Sequence, residues 1–354
     1  MIEPEPRSWT IPVSPESQLY LFTKACMTAV NHQLSRNARQ GRRWGILLAG
    51  GDGTRLKKLT RIVSGDDRPK QFCSLFGDES LLDLTRKRAE RAIYPEQILV
   101  QLTASHRAFY VEEPGVRASQ RIVQPTNRGT APPILYSLLS IEQINDDAIV
   151  AVLPSDHYFS DERGFSTVLE SAFETAAQHP WSVVLLGASP EGPEVEYGWI
   201  EIGPSVHGAG GVWSRVRGFF EKPSFHATSE LLARGSLWNT FVMVGHVRGF
   251  LEMVNASVAD VVGRLREGPL WAGEEVHIEN SLYEHIRAVD FSREVLSVQT
   301  PRLLALRMAD TGWSDLGHPE RVLTVLQAAG LEPWWIKRWK TSEWGAVTEG
   351  LLDG

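Results

Sequence analysis

The sequence predicts an α/β protein built on a mostly parallel, mixed sheet, doubly wound with helices on both faces. Three observations predict it. A short apolar run without alternation at 44–49 reads as a strand buried on both faces, 148–153 reads as another buried strand, and 97–102, 121–124 and 182–187 read as further strands. Helical stretches with short connections separate them, and such alternation produces a parallel sheet covered on both sides. The glycine loop after the first run, Gln124 and Asp156 all fall at the carboxyl ends of strands, where open α/β sheets bind ligands.

Residues 1–43 read as an N-terminal arm. Its first stretch carries Pro4, Pro6, Pro12 and Pro15 and reads as a loose tail. Residues 16–39 read as a helix, because Leu19, Phe22, Cys26, Val30 and Leu34 recur at helical spacing. Gly41, Arg42 and Arg43 end it and lead into strand 44–49, which breaks into Gly50, Gly51, Asp52, Gly53, Thr54 and Arg55. Ser80 is a helix N-cap ahead of the apolar face Leu81, Leu82, Leu84, Ala89, Ala92 and Ile93. A strand at 97–102, a short helix at 105–112 and a strand at 121–124 follow. The last ends in Gln124-Pro125-Thr126-Asn127-Arg128-Gly129-Thr130-Ala131-Pro132-Pro133. Thr130 reads as the cap of a helix running to Ile144, since prolines are tolerated in a first turn. Strand 148–153 delivers Pro154-Ser155-Asp156-His157, and helix 164–178 and strand 182–187 complete the alternation.

The second half is less regular. Segments 196–202 and 212–222 read as antiparallel strands about a glycine-rich turn at 208–211. A short helix is expected at 229–234, a strand carrying Trp238, Asn239 and Thr240 at 237–244, and a helix at 279–289. A strand at 302–308 precedes Asp310-Thr311-Gly312-Trp313-Ser314-Asp315-Leu316-Gly317, and 320–329 reads as a final helix. Residues 331–354 form a tail in which Trp334, Trp335, Trp339 and Trp344 crowd together without an evident chemical role.

Composition narrows the function classes. Hydrophobic content of 42% and charged content of 22% are those of a soluble globular protein. The net charge of −7 argues against nucleic acid as the main partner. An acidic protein that handles phosphates must concentrate positive charge locally or recruit a cation. The two cysteines, Cys26 and Cys73, are too few for a disulfide scaffold and lie in no metal-ligand pattern. No run of about 18 apolar residues is present, so no membrane span is expected. The acidic, proline-rich start lacks an apolar signal core, which leads us to expect a cytoplasmic chain.

The stretch 44–72 carries the strongest chemical signal. Glycines remove Cβ and open positive φ, so successive backbone N–H groups can converge on one point and bind an anion. Arg55 adds a planar, permanently charged fork suited to phosphate oxygens, and Arg68 and Lys70 bring more positive charge close behind. A glycine pair on its own would read as a tight turn. The loop is not a Walker A motif, because no Gly-Lys-Ser/Thr closes it. Nor is it a dinucleotide fingerprint, because Thr54, Arg55 and Leu56 follow Gly53 instead of a third glycine.

The whole string resembles the signature of the sugar-1-phosphate nucleotidylyltransferases: a buried strand, Leu-Ala-Gly-Gly-x-Gly-Thr-Arg-Leu at 48–56, then Pro69-Lys70-Gln71-Phe72. Within that family it is most similar to the mannose-1-phosphate guanylyltransferases, over 44–330. The resemblance implies the nucleotide-diphospho-sugar transferase fold, a GT-A, Rossmann-like sheet. It implies attack by a sugar-1-phosphate oxygen on the α-phosphorus of a nucleoside triphosphate, with GTP and mannose-1-phosphate as substrates and GDP-mannose and pyrophosphate as products. No protein nucleophile is needed, so catalysis rests on positioning and charge neutralisation.

The resemblance also implies roles, residue by residue. Lys70 contacts the α-phosphate; Arg55 and the Gly51 and Gly53 amides hold the outer phosphates, with Gly50 and Thr54 in the same loop. Gln124, Arg128 and Thr130 lie near the guanine, and Ser155 beside the nucleotide. Lys222 binds the sugar phosphate, Glu221 and Asn239 the sugar hydroxyls, and Gly198 admits the hexose to the backbone. Asp156 and Asp315 hold Mg²⁺, with Mn²⁺ as an alternative, since Mg²⁺ takes one or two carboxylates plus phosphate oxygens and waters. Each aspartate taken alone reads equally as a turn residue, and His157 as a structural histidine or one that orients Asp156.

Some positions depart from the pattern. Lys57 and Lys58 stand where relatives have an aromatic residue and proline, Ser64 to Asp67 lengthen the loop before Lys70, Gly129 replaces an asparagine, and Phe241 stands where a glycine is usual. These leave other readings open: the same chemistry with another base or hexose, such as thymidylyl or uridylyl transfer to glucose-1-phosphate, or a catalytically silent sugar-nucleotide-binding homologue. A retaining glycosyltransferase would want an Asp-x-Asp motif, and Asp156 is not in one. The resemblance ends near residue 330, so the appended domains of longer family members are not expected. A homo-oligomer is compatible with the sequence.

Overall fold

The computed structural model describes residues 41–208, 210–308 and 310–342. The anticipated helix at 16–39, Cys26 and Trp344 lie outside them. Ten strands form one sheet in the order β5-β10-β7-β6-β8-β4-β1-β2-β3-β9. They are β1 (Arg43–Leu48), β2 (Ile98–Thr103), β3 (Arg121–Gln124), β4 (Ile149–Pro154), β5 (Val183–Ala188), β6 (Gly198–Gly208), β7 (Gly211–Glu221), β8 (Leu237–His246), β9 (Val276–His277) and β10 (Leu303–Arg307). β4, β1, β2, β3 and β9 run parallel, while β8, β6 and β7 pair antiparallel. The sheet is therefore the mixed α/β sheet expected, parallel around the glycine loop and antiparallel where 196–222 reads as a hairpin.

Helices cover both faces. Ala131–Ile144 and Val247–Arg266 bury Leu135, Leu139, Val254 and Val261 against Ile46, Leu99 and Val152 on one face. Leu81–Glu90 and Glu162–Gln178 bury Leu82, Phe165 and Phe173 against Leu47, Val100 and Leu153 on the other. Alternate residues of β1 and β2 thus point to opposite cores, as a doubly covered strand requires. Ser80 caps the Leu81–Glu90 helix as anticipated, its hydroxyl accepting from the Asp83 amide.

Two local expectations are corrected, and two helical segments are added to those expected. The helix at 279–289 shrinks to one turn, Asn280–Tyr283, because Val289 is drawn into the loop at 128–131. Its N–H donates to the Arg128 carbonyl at 2.9 Å and its carbonyl accepts from the Ala131 amide at 3.1 Å. Thr130 precedes the Ala131–Ile144 helix, but its hydroxyl makes no capping bond; it accepts from the Phe291 amide at 2.8 Å instead. Lys57–Ser64 is a helix, closed by Gly65 in the left-handed region. Val247–Arg266 is a helical segment broken at Val258 (φ −140°, ψ 53°); its buried residues Val247, Phe250, Leu251, Val254, Val258, Val261, Val262 and Leu265 recur at helical spacing, though no element was expected there.

A third core lies beside the glycine loop. Leu56, Leu59 and Val63 pack with Leu323 and Leu326 of the Pro319–Ala329 helix and with Trp335 and Trp339. Two of the tail tryptophans are therefore core residues, while Trp334 is exposed. No helix among the described residues is long and apolar enough to cross a membrane.

Candidate active site

A cleft of about 420 Å³ opens over the carboxyl ends of β1–β4 and extends toward β6–β8. Gly50, Gly51, Arg55, Gln124, Thr130, Asp156, Gly198, Glu221, Lys222, Asn239 and Asp315 all line it. Gly53, Thr54, Lys70, Arg128 and Ser155 are not among its lining residues. Ser155 is buried, and its hydroxyl donates to the Leu48 carbonyl at 2.7 Å, so it ties β4 to β1 rather than facing a ligand.

The glycine loop is held from beneath. Gln71 donates its amide to the carbonyls of Ala49 at 3.0 Å and Gly51 at 2.8 Å, and His106 holds Asp52 at 3.0 Å. Gly53 has φ 56°, and a Cβ there would stand 3.0 Å from the Lys70 amide, so this position needs a glycine twice over. Nothing lies within 4 Å of where a Gly51 Cβ would be, which leaves bare backbone facing the cleft.

Lys70 is only 8% exposed, so it is not the solvated lysine that most lysines are. Its ammonium donates to the Asp315 carbonyl at 2.6 Å and the Leu316 carbonyl at 3.3 Å, and sits 3.3 Å from Asp156 Oδ2. Asp315 Oδ1 accepts from Tyr197 Oη at 3.0 Å, the Gly317 amide at 2.9 Å and Arg321 Nη1 at 2.7 Å. Burial would push the Asp315 carboxyl up, but the Arg321 guanidinium, with Lys70 and the Gly317 amide, outweighs it and holds the group at about 2. Burial lowers His157, keeping its ring neutral. Its Nδ1 accepts from Trp313 Nε1 at 3.3 Å, so His157 is fixed by an aromatic neighbour.

Arg55 is also tied internally, its guanidinium 3.3 Å from Glu196 and 3.1 Å from His318. Across the cleft, the Asn239 side-chain carbonyl accepts from the Phe241 amide at 3.1 Å. Burial and the nearby Asp290 raise the Glu221 carboxyl, against the pull of Lys222 and Ser292. A Gly198 Cβ would stand 2.9 Å from Glu221 Oε2 and 3.2 Å from the Asn239 Cβ, so the glycine makes room for both side chains.

The donor set suits a hard divalent cation. Asp156 and Asp315 both line the cleft, and among the described residues no cluster of three or more His, Cys, Asp or Glu forms a cage. Two carboxylates completed by substrate phosphates and water are the coordination Mg²⁺ prefers. Asp156, side chain 30% exposed, is the more available of the two.

Several cleft residues leave no signal in the sequence. Gln71 lies within the Pro-Lys-Gln-Phe motif but carries no role there. Tyr197, Glu196, Arg321 and Trp313 meet Asp315, Arg55 or His157 only through the fold, and no local spacing announces them.

Fold and site together define a nucleotide-transferring enzyme scaffold: a doubly wound sheet with a glycine loop, flanking cations and two carboxylates at its carboxyl edge. A nucleotidyl transferase family model matches residues 44–330, and the chain belongs to that family. It is 29% identical over 292 residues, 80% of this chain and 60% of the relative, to the xanthan biosynthesis protein XanB of Xanthomonas campestris pv. campestris. It is 28% identical over 288 residues, 78% of this chain and 53% of the relative, to a mannose-1-phosphate guanylyltransferase of Sinorhizobium fredii. The chain thus spans about 60% or less of these relatives' length. A crystal structure from Thermus thermophilus, described as a mannose-1-phosphate geranyltransferase, superposes with TM-score 0.68 at 26% identity, covering 80% of this chain and 79% of that one.

Proposed function

We propose that the protein joins GTP and mannose-1-phosphate into GDP-mannose and pyrophosphate. The observation that carries this reading is one cleft with two differently equipped halves. The glycine loop, Arg55, Gln124 and Thr130 line one; Gly198, Glu221, Lys222 and Asn239 line the other; Asp156 and Asp315 line it too, with Lys70 against them.

The two substrates are both anionic and repel each other. Exposed loop backbone and Arg55 receive the outer phosphates, and Lys222 receives the sugar phosphate. A sugar-phosphate oxygen then forms a bond to the α-phosphorus while the bond to the β-phosphate bridging oxygen breaks, and pyrophosphate leaves with that electron pair. Lys70 stands where charge builds at the α-phosphate, and a preorganised donor there is worth more to the transition state than to the ground state. Asp156 and Asp315 would hold a divalent ion, which would supply charge neutralisation of the phosphates. Arg321 and Tyr197 hold Asp315 in place, and Gln71 holds the loop.

The test is a panel of GTP, ATP, UTP, CTP and TTP against mannose-1-phosphate and glucose-1-phosphate, read as pyrophosphate release. GTP with mannose-1-phosphate should give the highest specificity constant. If TTP or UTP with glucose-1-phosphate led, the reaction would stand and the substrates would change. Absence of pyrophosphate from every pair would remove the activity.

A further inference from the structure

Strand β2 reads Ile98-Leu99-Val100-Gln101-Leu102-Thr103, and its apolar members are at most 1% exposed. Gln101, also 1% exposed, breaks that run. Its amide nitrogen donates to Ser137 Oγ on the facing helix. Its amide oxygen is buried and has no hydrogen-bond partner among the described residues. Burying an unpaired acceptor costs on the order of 1–3 kcal/mol. A leucine at this place would carry no such cost.

The position of the unpaired oxygen matters. Gln101 lines the cleft together with Gln124, Thr130 and Pro133. It shares a face of β2 with Thr103, two residues on, and pairs in register with Leu48, two residues before Gly50. Gln101 is therefore about 6–7 Å deeper along the strands than the Thr103–Gln124 level. Gln124 is held at both ends: its nitrogen donates to Thr103 Oγ1 at 3.0 Å, and its oxygen accepts from Tyr283 Oη at 2.5 Å. Gln101 is held at one end only, with Ser137 fixing its nitrogen and leaving the buried acceptor unpaired among the described residues.

Resting on the guanylyl-transfer reading above, we propose that Gln101 is a base-discriminating residue at the floor of the nucleotide half of the cleft. Its amide oxygen accepts from the ring N–H and 2-amino edge of guanine. A two-ring base spans the extra depth below the Gln124 level, and a pyrimidine stops short of it.

The test uses the full chain with Gln101→Leu, and Gln101→Met should leucine strain the strand, each checked for an intact thermal transition. The readouts are direct titrations with GDP and UDP, and specificity constants for GTP and UTP. The expected result is a fall of about tenfold to a hundredfold in GDP affinity and in the GTP specificity constant. UDP affinity and the Michaelis constant for mannose-1-phosphate should be unchanged, and the melting temperature should be level or higher. A GDP-to-UDP affinity ratio within about twofold of wild type in a folded variant would overturn the assignment, as would a wild type that binds UDP as tightly as GDP. A wild type that binds GDP selectively but releases no pyrophosphate would sink the parent reading alone, and the titrations would still decide the role of Gln101.

Discussion

The Lys70 ammonium lies 3.3 Å from Asp156 Oδ2 and bonds the backbone carbonyl of Asp315, the other proposed metal ligand. Lys70 and the Asp156 carboxylate therefore neutralise one another before any substrate arrives, while the Asp315 carboxylate is paired with Arg321. On the proposed reading, Asp156 would be free to hold a divalent ion once the phosphate of an entering triphosphate draws Lys70 away, and that ion would supply further charge neutralisation. Lys70→Ala should lower turnover by about a hundredfold or more, the scale of losing one preorganised transition-state donor. It should also lower the melting temperature, because the Asp315 and Leu316 carbonyls lose their donor. Steady-state kinetics beside a melt separate the two effects. Wild-type turnover would exclude Lys70 from the mechanism.

The same pairing shapes the metal response. Activity should require Mg²⁺ or Mn²⁺, and Asp156→Asn should raise the metal concentration giving half-maximal rate. Asp315→Asn should do so as well, and should also destabilise the fold by leaving Arg321 without its closest carboxylate partner at that end. Direct Mn²⁺ titration gives a readout apart from turnover. Full activity in excess chelator would count against any metal role.

Asp315 and Glu221 should respond to pH with opposite sign. Asp315 is held at about 2, below its ordinary 3.8, so its contribution to stability is fully present above that ordinary value and is lost as pH falls toward 2. Glu221 is raised above its ordinary 4.5, so its contribution is present below that value and lost as pH rises through the folded one. Glu221→Gln should therefore melt higher than wild type at neutral pH and converge with it on acidification. Melts of wild type and both variants across acid to neutral pH would show it; a Glu221→Gln difference that grows on acidification would contradict the assignment.

Much of this site was legible in the sequence because its parts are local. A strand that must be buried on both faces leaves an unbroken apolar run, and a backbone that must bind anions leaves glycines, so β1 and its loop announce themselves. The ends of β3 and β4 follow by the same rule. The partners were not legible. Arg321 on Asp315, Tyr283 on Gln124 and Ser137 on Gln101 are separated in sequence by 6, 159 and 36 positions, and only the assembled fold joins them. The Val247–Arg266 segment, by contrast, was legible, since its buried residues from Val247 to Leu265 recur at helical spacing; Gly249, Gly263 and several valines weaken its helix propensity, and the break at Val258 was not legible.

The tail tryptophans give a stability prediction. Trp335 is fully buried and its indole N–H donates to the Leu75 carbonyl at 3.2 Å. Trp335→Ala should cost about 3–5 kcal/mol, as for other large-to-small core changes. The third core adjoins the glycine loop through Leu56, so the loss should also weaken nucleotide binding near the melting temperature. Trp334→Ala, on an exposed ring, is the control and should melt like wild type. Equal melts for the two variants would deny the tail a part in the core.

Phe241 carries the last prediction. β8 bulges against β5 here, since the pairing shifts between Leu185–Met243 and Gly187–Asn239. The extra residues put Phe241 at φ 60°, a left-handed backbone where a bulky side chain is strained. This is why a glycine is the natural occupant of the position. The Asn239 side-chain carbonyl holds the bend by accepting from the Phe241 amide, and the ring packs edge-on to Phe291 with centroids 6.3 Å apart. The ring also lines the acceptor half of the cleft beside Glu221 and Asn239. Strain at this position costs on the order of 1–3 kcal/mol, so Phe241→Gly should recover part of that while losing the ring's buried area, leaving stability close to wild type. Its effect should fall on the acceptor: a wider pocket should accept bulkier hexose-1-phosphates and raise the Michaelis constant for mannose-1-phosphate severalfold, with that for GTP unchanged. Phe241→Ala keeps the backbone strain, removes the ring and should be the less stable of the two. An acceptor range identical to wild type in a folded Phe241→Gly protein would show that the ring fills space without selecting the sugar.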